Sequence, residues 1–333
     1  MLSGSSVNLF DALIEGFRGF TVTRKSDKKE SKRNADVPQP AGEDPQAAER
    51  VREILNSASY RRADLDTDFL NTGETRGLRL ALEYLKVNLL LERHGIKQTI
   101  VVFGSTSIPE SSVARRRVDR ARAELRKEPD NPILIQGLQI AERVSANSTF
   151  YTVAREFGSL VGSSGEGPKD CRVVLMTGGG PGIMEAANRG AFDVGAESVG
   201  LNISLPQEQF PNAYVTPELC FNLRYFAIRK LHVLLRARAL VVFPGGFGTF
   251  DELFETLTLV QTGKIELLPV ILVGESYWRK AFDPDFLLQE GVIALQDRDL
   301  FWYAETAQEI WDGICQWHRD TGAVLHADDQ SAH

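Results

Sequence analysis

The sequence predicts an α/β fold, Rossmann-like and doubly wound, with a mainly parallel sheet and an N-terminal helical extension. Short continuous apolar runs indicate strands that are buried on both faces. Five such runs occur, at Thr99–Phe103, Cys171–Met176, Ser198–Leu205, Ala239–Phe243 and Leu268–Val273. Helical patterns separate these runs, and strands that alternate with helices are typical of parallel βαβ units. The length of 333 residues allows one large or two small domains.

Residues 1–46 are predicted to be a mostly disordered tail, because residues 21–46 are charged and Pro-rich and offer little to bury. Residues 7–17 carry apolar side chains at helical spacing. Two interpretations stay open for them: a weakly ordered segment, or an amphipathic helix that docks on the protein, a partner or a membrane surface.

Residues 47–98 are predicted to be a helical extension packed on the core. Within it, Leu78, Leu82, Leu85 and Leu89 recur at three- and four-residue steps, which is the spacing of one helix face. We expect these helices to cover one face of the sheet.

Residues 99–320 are predicted to form the Rossmann-like domain, followed by a C-terminal tail at 321–333. A helical hairpin is expected as an insertion at about 112–145, and its first helix carries three consecutive arginines, Arg115 to Arg117. These arginines suggest either a nucleic-acid contact or a solvated helix face with interspersed acids, and we favour the solvated face. The remaining helices are expected at 149–161, 183–194, 223–237, 250–262, 277–289 and 307–319.

The composition excludes several classes of protein. The net charge is −7 and the pI is near 5.4, so a general DNA or RNA binder is not expected. Three scattered cysteines without a CxxC pair argue against a disulfide framework and a zinc site, and they fit a reducing cytoplasm. No apolar run is long enough to span a membrane, and no signal-peptide pattern occurs. We expect no metal and no cofactor.

The first candidate loop follows the second predicted strand. Gly178, Gly179 and Gly180 precede Pro181 and Gly182, and a predicted helix follows directly. Glycines let the backbone approach a ligand closely, and proline suits the start of a helix. The free N–H groups of the first helical turn then form a natural anion site.

The second candidate loop follows the fourth predicted strand and contains Gly245, Gly246, Gly248 and Thr249. Both loops should meet at the carboxyl edge of the sheet, where such folds bind ligands. Neither loop fits GxGxxG, because the third glycine position holds Ile183 or Asp251, and no P-loop sequence occurs. Backbone amides with Thr249 would suit one phosphate, which suggests a mononucleotide or sugar phosphate.

Glu252 allows two interpretations. Thr249 and Glu252 read as a capping box, with Thr249 as the N-cap and Glu252 closing back onto it. Alternatively, a carboxylate beside a phosphate site needs a compensating cation or has a catalytic duty. Arg229 and Lys230 could supply that cation, or could belong to a basic helix surface.

Together, GGGPGIMEAAN at residues 178–188, the pair Arg229-Lys230 and PGGFGTFDE at residues 244–252 resemble the LOG family. Its members are cytokinin-activating phosphoribohydrolases and related nucleoside 5′-monophosphate nucleosidases, long labelled "possible lysine decarboxylase". The resemblance covers about residues 99–319 and includes the PGGxGT motif. It implies a Rossmann-like fold, a homodimer, and hydrolysis of the N-glycosidic bond of an AMP-like or cytokinin riboside monophosphate to a free base and ribose 5-phosphate.

Carried over by position, the resemblance implies a catalytic pair at Arg229 and Glu252. It also implies that phosphate and nucleotide contacts come from both glycine loops and their neighbours: Gly178, Gly179, Gly180, Gly182, Met184, Glu185, Lys230, Gly245, Gly246, Gly248 and Thr249. Plant-type members commonly have MHERK where this chain has FAIRK at residues 226–230, which leaves the preferred base open. The alternative from another class is a non-catalytic carrier of a phosphorylated ligand such as molybdenum cofactor, whose carriers resemble this fold.

Overall fold

Seven parallel strands form one sheet in the order β4-β3-β2-β1-β5-β6-β7. The computed structural model describes residues 44–205, 210–323 and 325. The strands are β1 Gln98–Phe103, β2 Val173–Thr177, β3 Ser198–Ile203, β4 Cys220–Leu223, β5 Ala237–Val242, β6 Val270–Val273 and β7 Phe301–Ala304. With helices between them, these strands confirm the predicted doubly wound α/β fold.

The chain divides into two units at Thr75–Arg76. The first unit holds helices α1 Ala47–Asn56 and α2 Thr67–Leu70, with two short 3₁₀ turns between them. The second unit holds the sheet and helices α3 Arg76–Arg93, α4 Ser111–Leu125, α5 Pro132–Ala146, α6 Thr149–Gly162, α7 Ile183–Asp193, α8 Phe226–Leu235, α9 Phe247–Gln261, α10 Glu275–Ala281, α11 Pro284–Gln289 and α12 Ala307–Thr321. The predicted tail helix at 7–17 lies outside the described residues.

Strand β1 lies at the centre of the sheet, between β2 and β5. Ile100 is in register with Leu175 on one side and with Ala239 on the other. From β1 the chain order runs outwards in both directions, so the crossovers on the two sides diverge. This divergence makes the carboxyl end of β1 a topological switch point, where open α/β sheets form a ligand crevice.

Alternate strand residues enter two cores, one on each face of the sheet, because successive side chains of a strand point to opposite faces. Val101 packs in the first core with α3 and α9, which contribute Leu91 and Leu253. Ile100 packs in the second core with α6 and α7, which contribute Phe157 and Ile183. Helices on both faces explain why the central strands are mostly apolar.

Three sequence predictions differ from the structure. Strands β4 and β7, at the two edges of the sheet, were not predicted. The single helix expected at 277–289 is two helices, because Asp283-Pro284 starts a new helix whose N-cap is Asp283. The leucine stripe of α3 is exposed at Leu78, Leu82, Leu85 and Leu89, and α3 instead buries Val87 and Leu91.

Helices α4 and α5 pack against each other, and Arg122 Nη2 donates to Glu142 Oε1 at 2.7 Å. Helix α12 ends at Thr321, and Leu325 packs against the second core. Among the described helices, none combines the length and apolar character that a membrane crossing requires.

Candidate active site

Three loops meet at the carboxyl ends of β1, β2 and β5 and border an open cavity of about 430 Å³. Besides the two predicted glycine loops, a third loop follows β1 and connects them. The Ser105 N–H donates to the Pro244 carbonyl at 2.9 Å, and the Ser105 carbonyl accepts from the Ile183 N–H at 3.1 Å. The cavity is lined by Phe103, Gly104, Ser105, Thr106, Ser107, Gly178, Gly180, Met184, Asn202, Ile203, Leu205, Phe226, Arg229, Gly246, Phe247, Gly248 and Thr249.

The first glycine loop needs glycine at two positions. Gly179 and Gly182 adopt φ of 70° and 75°, in the left-handed region that other residues rarely enter. A Cβ at Gly182 would also lie 2.3 Å from the Ser105 carbonyl oxygen. Gly182 therefore lets the start of α7 approach the loop after β1.

Buried polar side chains hold the same loop in place. Thr177 Oγ1 accepts from the Gly179 N–H at 2.9 Å and donates to Asn188 Oδ1 at 2.7 Å. Asn212 Nδ2 donates to the Gly180 carbonyl at 3.0 Å and to Asn188 Oδ1 at 3.0 Å. Since these groups are satisfied within the protein, the loop is preorganised.

The second loop presents the N-terminus of α9 to the cavity. Its N-cap is Gly246, whose carbonyl accepts from the Thr249 and Phe250 N–H groups at 2.9 and 3.1 Å. The N–H groups of Phe247 and Gly248 precede the first intrahelical donors, so they have no acceptor within the helix. Both residues line the cavity, and this helix end suits an anion.

The capping-box interpretation of Thr249 and Glu252 is wrong. Helix α9 begins two residues before Thr249, and its cap makes no side-chain hydrogen bond. The Thr249 side chain lies instead against Gly245, where an added Cβ would be 2.1 Å from Oγ1. Glu252 therefore does not cap the helix, and its burial needs another explanation.

Glu252 pairs with Arg229, which projects from α8. Arg229 Nη2 donates to Glu252 Oε1 at 2.8 Å, and the two side chains are 12% and 2% exposed. Lys230 Nζ lies 3.8 Å from Glu252 Oε2 and donates to Glu255 Oε2 at 2.6 Å. Burial raises the pKa of Glu252, while the charges of Arg229 and Lys230 oppose that rise.

Arg229 also faces the cavity, which links the buried carboxylate to it. Its guanidinium carbon lies 4.9 Å from the centre of the Phe226 ring, and its Nε is buried without a hydrogen-bond partner in the described residues. A guanidinium with one group unsatisfied beside an open helix N-terminus is chemically suited to hold a phosphate or carboxylate.

The structure brings together part of the predicted site. Gly178, Gly180, Met184, Arg229, Gly246, Gly248 and Thr249 line the cavity. The other predicted residues lie outside its lining: Gly179, Gly182, Glu185, Lys230, Gly245 and Glu252. Glu185 accepts from Tyr151 Oη at 2.9 Å, and Lys230 lines a different cavity of about 860 Å³ near the start of β5.

Sequence reasoning missed the contributions of the β1 loop, Asn202 and Phe226. The β1 loop had a recognisable signal, because Gly104-Ser105-Thr106-Ser107 follows a buried strand as the other two loops do. Asn202 had none, since it stands inside a strand and only the sheet order brings it to the cavity.

Residues 184–314 match a family model described as "Possible lysine decarboxylase". The chain is 29% identical over 150 residues to a probable cytokinin riboside 5′-monophosphate phosphoribohydrolase LOGL3 from Oryza sativa subsp. japonica, covering 42% of this chain and 67% of that protein. It is 30% identical over 168 residues to the cytokinin riboside 5′-monophosphate phosphoribohydrolase LOG of the same plant, covering 48% and 66%. The chain thus spans about two thirds of the length of these relatives, and the predicted resemblance to the LOG family is confirmed.

Two solved structures share a fold likeness. The molybdenum cofactor binding protein from Rippkaea orientalis is 23% identical, with a TM-score of 0.36, over 51% of this chain and 88% of that one. The Moco carrier protein from Chlamydomonas reinhardtii is 18% identical, with a TM-score of 0.39, over 67% and 99%. At these scores the likeness says nothing about what this chain binds.

Proposed function

We propose that this protein hydrolyses the N-glycosidic bond of a nucleoside 5′-monophosphate, of the AMP or cytokinin riboside monophosphate kind, to a free base and ribose 5-phosphate. The observation that carries the proposal is the buried Arg229–Glu252 pair beside a cavity that one helix N-terminus faces. The relatives named as phosphoribohydrolases support the same reaction class.

The phosphate would bind at the start of α9. The N–H groups of Phe247 and Gly248 and the Thr249 hydroxyl are available there, and the helix dipole favours an anion. Tyr277 Oη donates to the Gly245 carbonyl at 2.6 Å and so holds the second glycine loop in place. Binding energy from this remote phosphate would position the bond that breaks.

Glu252 would act on the ribose. Cleavage of an N-glycosidic bond develops positive charge on the sugar, as in other oxocarbenium-like transition states. A carboxylate can stabilise that charge or align the attacking water. Because Arg229 covers Glu252, we infer that the substrate phosphate draws the guanidinium towards the cavity and frees Oε1.

The test is to incubate the purified full-length chain with AMP, GMP, CMP, UMP and a cytokinin riboside monophosphate, and to measure free base and ribose 5-phosphate by chromatography. We expect stoichiometric release of both products from at least one nucleotide. Absence of base release from all five would contradict the proposed reaction.

Two other functions can be distinguished from this one by experiment. A carrier of molybdenum cofactor would retain its ligand through purification, so mass spectrometry of the native protein would detect a pterin rather than a nucleotide. Amino-acid decarboxylation, which the old family label suggests, would normally use pyridoxal phosphate and would give an absorption band near the visible edge. The buried Arg229–Glu252 pair favours the hydrolase over both.

We also propose that the protein works as a cytoplasmic homodimer. The family resemblance supports a dimer, and three free cysteines fit a reducing compartment. Light scattering after size-exclusion chromatography would give twice the 37.0 kDa mass of the chain.

A further inference from the structure

Asn202 is a buried polar side chain that the proposed reaction does not yet use. It lies near the carboxyl end of β3, is 9% exposed and lines the cavity. Its Oδ1 is buried and has no hydrogen-bond partner in the described part of the chain. A buried carboxamide with an unsatisfied oxygen costs free energy unless a ligand or water completes it.

The position of Asn202 is set by the first glycine loop. A Cβ at Gly179 would lie 1.9 Å from Oδ1, so glycine is what lets the loop pass this close to the carboxamide. The buried network of Thr177 and Asn188 in turn fixes Gly179. The carboxamide therefore stands at a defined place on the cavity wall.

Asn202 and the start of α9 both line the cavity but belong to strands that are three positions apart in the sheet. Helix α9 follows β5, and Asn202 is on β3, with β1 and β2 between those strands. Three inter-strand spacings place strands β3 and β5 about 14 Å apart. That separation is comparable to an extended nucleoside monophosphate, so a phosphate at α9 would direct the base towards β3.

The surroundings of Asn202 suit a nucleobase. Met184, Ile203 and Leu205 also line the cavity and supply apolar surface. Ligand pockets typically combine such surface with few polar groups that fix orientation. A carboxamide offers a donor beside an acceptor, which pairs with the hydrogen-bonding edge of a base.

We propose that Asn202 recognises the base of the nucleotide through its side-chain carboxamide. This inference rests on the proposed function and adds the residue that selects the substrate. Arg229 and the α9 N-terminus hold the phosphate end, and Asn202 holds the leaving-group end.

The experiment compares Asn202→Leu with the wild-type chain and with Asn222→Leu. Asn222 is the register partner of Asn202 on β4, but it is exposed and does not line the cavity. For each protein, kcat/KM would be measured with the nucleotide that the wild type prefers. The affinity for ribose 5-phosphate, which lacks a base, would be measured by calorimetry.

We expect Asn202→Leu to lower kcat/KM about 10- to 100-fold, the discrimination that one well-placed pair of hydrogen bonds provides. Its affinity for ribose 5-phosphate should stay within about twofold of the wild type, and Asn222→Leu should match the wild type in both measurements. Should Asn202→Leu fail to fold by circular dichroism, Asn202→Asp preserves shape and polarity, and it should change the order of preference among AMP, GMP, CMP and UMP.

Each other outcome counts against a defined part of the inference. Equal losses for the nucleotide and ribose 5-phosphate would place Asn202 on the sugar and overturn the base assignment. Unchanged kcat/KM and unchanged preference in both Asn202 variants would overturn it while leaving the hydrolase intact. A wild-type chain that neither binds nor cleaves any nucleotide would overturn the proposed function as well.

Discussion

Arg229 of α8 and Glu252 of α9 form a buried charge pair, in which Arg229 Nη2 lies 2.8 Å from Glu252 Oε1. Strand β5 separates the two helices in sequence, so the pair exists only once the α8–β5–α9 unit has folded. Buried ion pairs recover their desolvation cost only with good geometry and are weak evidence for a purely stabilising role. A pair of this kind beside a cavity is a candidate functional group.

Replacing Glu252 by Gln should abolish turnover while leaving nucleotide binding in place. The side chain keeps its shape but loses the charge that stabilises the developing cation, and the loss should be at least about 100-fold in kcat. Glu255→Gln, on the same helix and bound to Lys230, is the matched control and should retain activity. Full activity in Glu252→Gln would reduce Glu252 to a structural role.

Removing one member of the pair should destabilise the protein more than removing both. Arg229→Met leaves Glu252 buried without its partner and should cost about 3–5 kcal/mol of the free energy of unfolding. The double variant Arg229→Met/Glu252→Leu should recover much of that loss. Urea unfolding followed by circular dichroism gives the values, and strictly additive losses would show that the two groups do not interact.

The acid limb of the pH–rate profile should lie above the usual pKa of a glutamate. Burial raises the pKa of Glu252 from 4.5, and the charges of Arg229 and Lys230 only partly oppose this rise. Because the proposed role needs the carboxylate form, kcat/KM should increase as pH rises through this elevated pKa. The measurement is initial rates from pH 4 to 8; a limb at or below 4.5 would contradict the role.

Gly182→Ala should be more damaging than Gly195→Ala, although the two glycines flank the same helix. Both have positive φ, at 75° and 77°, which residues with a Cβ rarely adopt, and Gly182, with ψ of −126°, also lies outside the αL region. Only at Gly182 would the new Cβ meet a neighbour, the Ser105 carbonyl at 2.3 Å. Thermal unfolding should therefore show a clearly larger loss for Gly182→Ala, and equal losses would contradict the crowding.

Acid should destabilise the protein through His232. The ring is fully buried, stacks on Tyr84 at 5.1 Å and lies near Arg236, and burial lowers its pKa to about 4. The unfolded chain takes up the proton below the usual pKa of 6.5 while the folded chain resists it. Stability is therefore lost as pH falls from 6.5 towards 4, by about 2 kcal/mol at pH 4.5.

His232→Phe keeps a stacking ring without a titratable group. The drop in unfolding free energy between pH 7 and pH 4.5 should be smaller in this variant by the same amount. An identical drop in both proteins would show that other groups cause the acid sensitivity.

The central strands were predictable because both of their faces are buried. Ile100–Phe103 and Leu268–Val273 are apolar throughout, which few other structures require. The edge strands were not predictable, because β4 contains the exposed Asn222 and β7 follows a 3₁₀ turn. Their pairing depends on neighbours that are distant in sequence.

The candidate site also contains features that the sequence predicts and features that it does not. The glycine loops can be recognised from the local sequence alone. The start of α9 was predicted wrongly, because the Thr249–Glu252 spacing fits a capping box whether or not a helix begins there. The leucines of α3 show a second limit of sequence prediction. Their periodicity reveals an apolar helix face, but Val87 and Leu91 form a second apolar face of the same helix. Periodicity alone does not reveal which of the two faces is buried. Asn202 depends on strand order alone.

Ser105 joins both glycine loops through its own peptide groups, donating to Pro244 and accepting from Ile183. Because the main chain makes both bonds, they survive any change of the Ser105 side chain that keeps the backbone in place. These two bonds thus fix the distance between the two glycine loops. The main-chain hydrogen bonds would therefore set the length of ligand that fits between the loops. The side chains that line the cavity could change without altering that length, and they would determine which ligand of that length binds.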